Sequence, residues 1–200
     1  MSPHPDSARL IRAMKRCLER AIEWSGVVYR SADVSYANKD DVITGVGSKR
    51  TGARWNAPNS FRTVYASLDL QTALEESLAH CRYYELPLET ITPRVFLAIR
   101  LRLQRILDLT QGEIRNALKI SLRRLLEEPW RERQRQGQEA LTQALGRAAY
   151  DGEWEGLLVP SAARRDGRNL VFFPANLLAG SWMEIINRAA LPPAPPTENA

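Results

Sequence analysis

The chain has only two cysteines, Cys17 and Cys81, and two histidines, His4 and His80, among its 200 residues. So few rule out a disulfide framework, and without a CxxC or HxxxH spacing no metal site is expected. No apolar run approaches the roughly 18 residues that a membrane span needs, and the N-terminus lacks the unbroken apolar stretch of about 7–15 residues found in secretory signals. The expectation is a cytoplasmic chain with no membrane partner. Excess charge of one sign is also scarce. The 28 basic and 23 acidic residues leave a net +5 spread along the chain, which favours acidic ligands without demanding nucleic acid. No internal repeat is present.

What is there suffices for one core, since 44% of the residues are hydrophobic. The expected organisation is an N-terminal helix within 1–25, a domain over 26–188 and a disordered, proline-rich tail over 189–200. Leu10, Ile11, Met14, Cys17, Leu18, Ala21 and Ile22 recur at helical spacing, predicting an amphipathic helix from Ser7 to Trp24. Strands are expected at Gly26–Arg30, with Arg30 at the strand end, at Val64–Ser67, at Arg94–Leu101 and at Arg105–Leu109. Residues 31–50 read mostly as loop. A helix capped by Ser67 or Asp69 should bury Leu70, Ala73, Leu74, Ser77, Leu78 and Cys81. Thr110-Gln-Gly-Glu113 has the form of a capping box, and Gln138–Tyr150 reads as a further helix. Glu155–Ser161 and Asn169–Phe173 suggest a hairpin, and Ser181–Ile186 an edge strand. The fold class is α+β, with a central sheet and flanking helices.

The stretch from Gly47 to Cys81 carries the chemistry. Glycines at 45, 47 and 52 let the backbone turn, and Arg54 offers a planar fork of donors suited to phosphate oxygens. Arg30 either reaches the same anion or forms a rim salt bridge. Tyr65 can stack on a flat heteroaromatic group, worth on the order of 1 kcal/mol. A carboxylate facing a cation-like sugar would complete a dinucleotide site. Glu75 and Glu76 flank the helical stripe on opposite sides, and periodicity does not choose between them. Ser161 is either a ligand to ribose or phosphate or a turn residue. The basic cluster Arg123, Arg124, Arg131, Arg133 and Arg135 has only Trp130 interleaved, which argues against nucleic acid as a ligand of this chain.

In their order along the chain, Tyr29-Arg30, Gly52-Ala-Arg54-Trp55-Asn56, Tyr65-Ala66, Ala73-Leu-Glu75-Glu76, Leu107-Asp108-Leu109-Thr110, Gly156-Leu-Leu-Val-Pro160-Ser161 and Asn169-Leu-Val-Phe-Phe173 resemble the RES-domain family. Its members are toxins of RES–Xre type toxin–antitoxin pairs. The resemblance implies a mostly antiparallel sheet like that of ADP-ribosyltransferase toxins, with NAD as substrate and no metal. It implies cleavage of the nicotinamide–ribose bond by water or phosphate, or transfer of ADP-ribose to a protein. By the same resemblance Glu76, Arg54 and Tyr65 are catalytic, and Arg30, Arg54, Tyr65, Ser161 and Asn169 hold NAD. Glu76 falls at the Ala-x-x-Glu position. An antitoxin with a helix-turn-helix DNA-binding portion is the implied partner, and there is room for a homo-oligomer. A different class of reading is a non-enzymatic nucleic-acid or regulatory binder that uses the Arg123 to Arg135 cluster on an inactive scaffold.

Overall fold

The computed structural model describes residues 1–34, 39–87, 89 and 94–191. The elements run α1 (Ser7–Arg16), β1 (Ile22–Asp33), α2 (Lys39–Thr44), α3 (Val46–Thr51), β2 (Val64–Ser67), α4 (Leu70–Tyr84) and β3 (Arg94–Asp108). They continue through α5 (Gly112–Ala117), α6 (Leu122–Leu126), α7 (Trp130–Arg135), α8 (Leu141–Asp151), β4 (Gly156–Pro160), β5 (Arg168–Phe172) and β6 (Trp182–Ile185). The strands lie in the order β1-β2-β5-β4-β3-β6, and β1 also pairs with β3, so five of them form a ring. All pairings are antiparallel except β3 with β4. The mostly antiparallel α+β arrangement expected from the sequence is what forms, with β4 and β5 as a hairpin and β6 on the edge.

Period-two alternation divides the apolar residues between two cores. Leu158, Leu170 and Phe172 join Val28, Val64, Leu97, Ile99, Leu101 and Leu103 in one. Leu157, Val159, Val171 and Phe173 face the other way, against α1 and α8. The buried Glu155 ties strands together by accepting from the N–H groups of Gln104 (2.6 Å), Arg105 (2.7 Å) and Leu178 (3.0 Å). These bonds satisfy a carboxylate that would otherwise be costly to bury.

Several boundaries differ from the sequence reading. The first helix stops at Arg16, and Ile22 and Trp24 belong to β1. Alternation takes over there, with the Trp24 ring lying beside Gly26 where a Cβ would come within 3.1 Å of it. The two strands expected between Arg94 and Leu109 are one of 15 residues, because the inward series Leu97, Ile99, Leu101, Leu103 continues across the polar Arg102 and Gln104. Residues 39–51 hold two short helices rather than loop, with Gly47 inside the second. The Thr110 hydroxyl donates to Asp108 (2.6 Å), so no capping box forms although α5 begins beside it. Leu70 and Leu74 point outward from α4, whose buried side is Thr72, Ala73 and Cys81. Of the expected tail, residues 192–200 lie outside the described residues.

Candidate active site

Strand β2 turns Val64 and Ala66 into a core, which leaves Tyr65 and Ser67 facing the opposite side. The chain then enters α4, where Asp69 caps the first turn by accepting from the Thr72 N–H (2.8 Å). This cap fixes the helix phase. Ala73 and Glu76, three residues apart, both line a cavity of about 580 Å³, whereas Glu75 is turned outward and paired with Arg82 at 2.9 Å. Helix geometry thus resolves the ambiguity between the two carboxylates.

Glu76 is held by neutral donors. Its Oε1 accepts from the Ser161 hydroxyl (2.6 Å) and from the Asn169 side-chain amide (2.6 Å). Asn169 in turn accepts from the Ser67 hydroxyl (2.7 Å), its cross-strand neighbour in the β2–β5 register. The Ser161 oxygen also accepts from the N–H groups of Ala163 and Arg164, both at 3.1 Å. No cation is among these contacts, and Glu76 lines the cavity directly.

Guanidinium groups share the cavity with it. Arg30, Arg54, Arg94 and Arg131 line the cavity, and Glu76 is the one carboxylate among its described lining residues. Arg30 donates to the Tyr65 carbonyl (3.0 Å), while its buried Nε has no partner. Burial, reinforced by neighbouring Arg94, pushes Arg30 down to about 10, which still leaves it charged at neutral pH. Arg54 donates to the carbonyls of Leu125 (3.0 Å) and Leu126 (3.4 Å) in the last turn of α6. Burial lowers its pKa, an effect the nearby Glu76 charge opposes.

The loop that presents Arg54 is braced by close approach. Gly52 has φ +70°, and a Cβ there would lie 2.6 Å from Pro58 and 2.7 Å from Gln134. Gly146 lets α8 pass against the Trp55 carbonyl, where a Cβ would collide with that backbone. The Tyr65 hydroxyl donates to Asn56 (2.7 Å) and accepts from the Trp55 N–H (3.0 Å). Burial raises its pKa far above the ordinary phenol value. With the hydroxyl committed to the loop, what Tyr65 offers a ligand is its ring.

The structure therefore brings together Arg30, Arg54, Tyr65, Glu76 and Asn169 as lining residues and sets Ser161 behind Glu76 as its hydrogen-bond donor. Arg30 lies inside β1, with Ser31, Ala32 and Asp33 still to follow, rather than at the strand end. Sequence reading did not find Arg94, which donates to Ser31 (2.6 Å), or the mouth formed by Tyr83, Trp130 and Arg131. Only the Trp-Arg pair at 130–131 in the basic cluster hinted at the latter. Among the described residues, no group of three or more His, Cys, Asp or Glu is placed to hold a metal, and no helix is long and apolar enough to cross a membrane.

Comparison with known proteins adds to this geometry. A protein-family model described as "RES domain" matches residues 20–187. Curated relatives named "NAD(+) phosphorylase MbcT", from Mycobacterium bovis and Mycobacterium tuberculosis, are 27% identical over 143 residues, covering 70% of this chain and 70% of theirs. The fold is similar to that in the crystal structure of the M. tuberculosis MbcT-MbcA toxin-antitoxin complex. There the TM-score is 0.64 at 23% identity, over 90% of this chain and 95% of the other.

Proposed function

The chain belongs to the RES domain family, and from that premise we propose that it is a toxin that consumes NAD by cleaving the nicotinamide–ribose bond, with phosphate as the preferred acceptor. The observation that carries this reading is Glu76, fixed by Ser161 and Asn169 and sharing one cavity with four arginines. The nicotinamide nitrogen of NAD is already cationic. When its bond to ribose C1 breaks, the electron pair goes to the ring, which leaves neutral without needing a proton. No general acid is required, and a single carboxylate matches that chemistry.

As the bond lengthens, positive charge moves onto the ribose, where the Glu76 carboxylate stabilises it. Arg54 and Arg30 hold the pyrophosphate, and the Tyr65 ring packs on the nicotinamide. A phosphate oxygen then forms the new bond to C1, giving ADP-ribose 1-phosphate. Excess guanidinium charge favours phosphate over water, in keeping with the relatives' name. We assign this role to the domain over 26–188, with the segment 1–25, whose helix is α1 (Ser7–Arg16), packed on it, acting in the cytoplasm where NAD is available. A protein antitoxin with a helix-turn-helix DNA-binding portion is the proposed partner, supported by the neighbouring fold's occurrence in a toxin–antitoxin complex.

The test is to incubate the purified protein with NAD, with and without phosphate, and to identify products by mass spectrometry. The expected result is nicotinamide plus ADP-ribose 1-phosphate when phosphate is present. Free ADP-ribose under both conditions would make it a hydrolase. Labelled protein formed from labelled NAD in a cell extract would make it a transferase, and intact NAD throughout would overturn the reading.

A further inference from the structure

At the mouth of the cavity, the Arg131 guanidinium carbon lies 4.4 Å from the Trp130 ring centre and 4.5 Å from that of Tyr83. Tyr83 is itself packed edge-on against Tyr84 and accepts a hydrogen bond from Arg135 (2.8 Å). Two segments far apart in sequence, the end of α4 and the start of α7, thus join through a stack of flat groups. Tyr83, Trp130 and Arg131 line the same cavity as Glu76. Contacts between cations and aromatic faces of this kind also accept a planar base, because every base has a π face.

We infer that the Trp130–Arg131–Tyr83 stack receives the adenine end of the dinucleotide and thereby sets the direction in which it binds. This rests on the NAD reading above. Charge decides the orientation. The nicotinamide ring of NAD is cationic, so it is repelled by Arg131 and attracted by Glu76. Adenine is neutral and electron-rich and suits a guanidinium beside two aromatic rings. Arg54 lines the same cavity as Glu76 and Arg131, and its guanidinium suits the pyrophosphate that joins the two ends. The inference makes the mouth a specificity device. Adenine recognition there separates NAD from nicotinamide mononucleotide, which carries the same scissile bond without the adenylate.

The experiment compares wild type with Arg131→Ala and, separately, Tyr83→Ala. Tyr83 is 44% exposed, so its replacement leaves the cores intact. AMP and nicotinamide mononucleotide share a ribose phosphate and differ in base, so titrating each by calorimetry isolates base recognition. The expected result is that both substitutions weaken AMP about tenfold, equivalent to about 1.4 kcal/mol. Nicotinamide mononucleotide binding should be unchanged, and in turnover assays the loss should fall on KM for NAD rather than on kcat. Equal weakening of both mononucleotides, or unchanged AMP binding in both variants, would overturn the inference. If AMP binding is lost as expected but wild type leaves NAD intact, the base site stands and the NAD-cleaving reading fails.

Discussion

The floor and the mouth of the cavity are built in opposite ways. At the floor, Glu76 is fixed by a chain of short hydrogen bonds, Ser67 to Asn169 to Glu76 and Ser161 to Glu76, between the middle of α4 and two paired strands. At the mouth, Arg131 rests on aromatic faces contributed by short or terminal helical segments. Hydrogen bonds are directional, so the floor holds one charge in one place. Stacking tolerates displacement, so the mouth can accept a flat group without demanding a single pose. A reacting centre needs the first property, and a remote binding end works with the second.

Breaking the floor at its charge should have the largest effect. Glu76→Gln keeps the shape and removes the charge, and loss of one preorganised electrostatic group costs roughly 10²–10³ in rate. NAD turnover should fall by that factor, and growth inhibition with it, at wild-type thermal stability. Circular dichroism melts alongside NAD assays will check both parts. Turnover close to wild type would remove Glu76 from the mechanism.

Next in size is Arg54→Ala, which removes a charge-assisted contact worth about 1.5–3 kcal/mol, or roughly 10–150-fold in kcat/KM. Arg54 also donates to the carbonyls of Leu125 and Leu126, so α6 should loosen, visible as faster amide exchange over 122–126. Arg54→Lys should rescue only part of the loss, since an ammonium lacks the planar fork. Wild-type KM in the alanine variant would take Arg54 out of the clamp.

Smaller still are the donors behind the carboxylate. Ser161→Ala and Asn169→Ala each remove one bond to the same Glu76 oxygen, and each should lower kcat about tenfold. Because they share an acceptor, the double variant should lose less than the product of the two. Strict multiplicativity would mean that the two act independently, and an effect on melting alone would reduce Ser161 to a turn residue.

The floor was also the legible part. Tyr65 sits at a strand alternation point and Ser161 at a turn, which short-range rules reach, whereas periodicity left Glu75 and Glu76 open and the family motif singled out Glu76 and Asn169. The mouth depends on Tyr83 meeting Arg131, and the Arg94 contact on Ser31 lying beside Phe96 in the β1–β3 register. Neither follows from local pattern. The early end of α1 escaped for a related reason. Cys17, Ala21 and Ile22 satisfy helical spacing, but Ile22 and Trp24 equally satisfy strand spacing, and pairing with β3 decides in favour of the strand. Leu70 and Leu74 misled in the other direction, since the helix phase is set by the Asp69 cap and not by its two exposed leucines.

The smallest expected effect lies one residue from the largest. Glu75 and Glu76 point about 100° apart on α4, so a cavity that holds one excludes the other. Glu75 reaches Gln71 and Arg82 on the outer surface, where an exposed ion pair adds little to stability and nothing to a ligand in the cleft. Glu75→Gln should therefore leave turnover within about twofold of wild type, the range of ordinary surface substitutions. The Arg82 pair holds the Glu75 carboxyl below its usual value. A carboxylate with a lowered folded pKa contributes stability above its unfolded pKa and loses it as pH falls through the folded one. Any difference in melting between wild type and Glu75→Gln should therefore be present at neutral pH and vanish in acid. Assaying the two glutamine variants at matched concentration makes the contrast sharp. Loss of turnover in Glu75→Gln with retention in Glu76→Gln would mean that α4 presents its other carboxylate to the substrate.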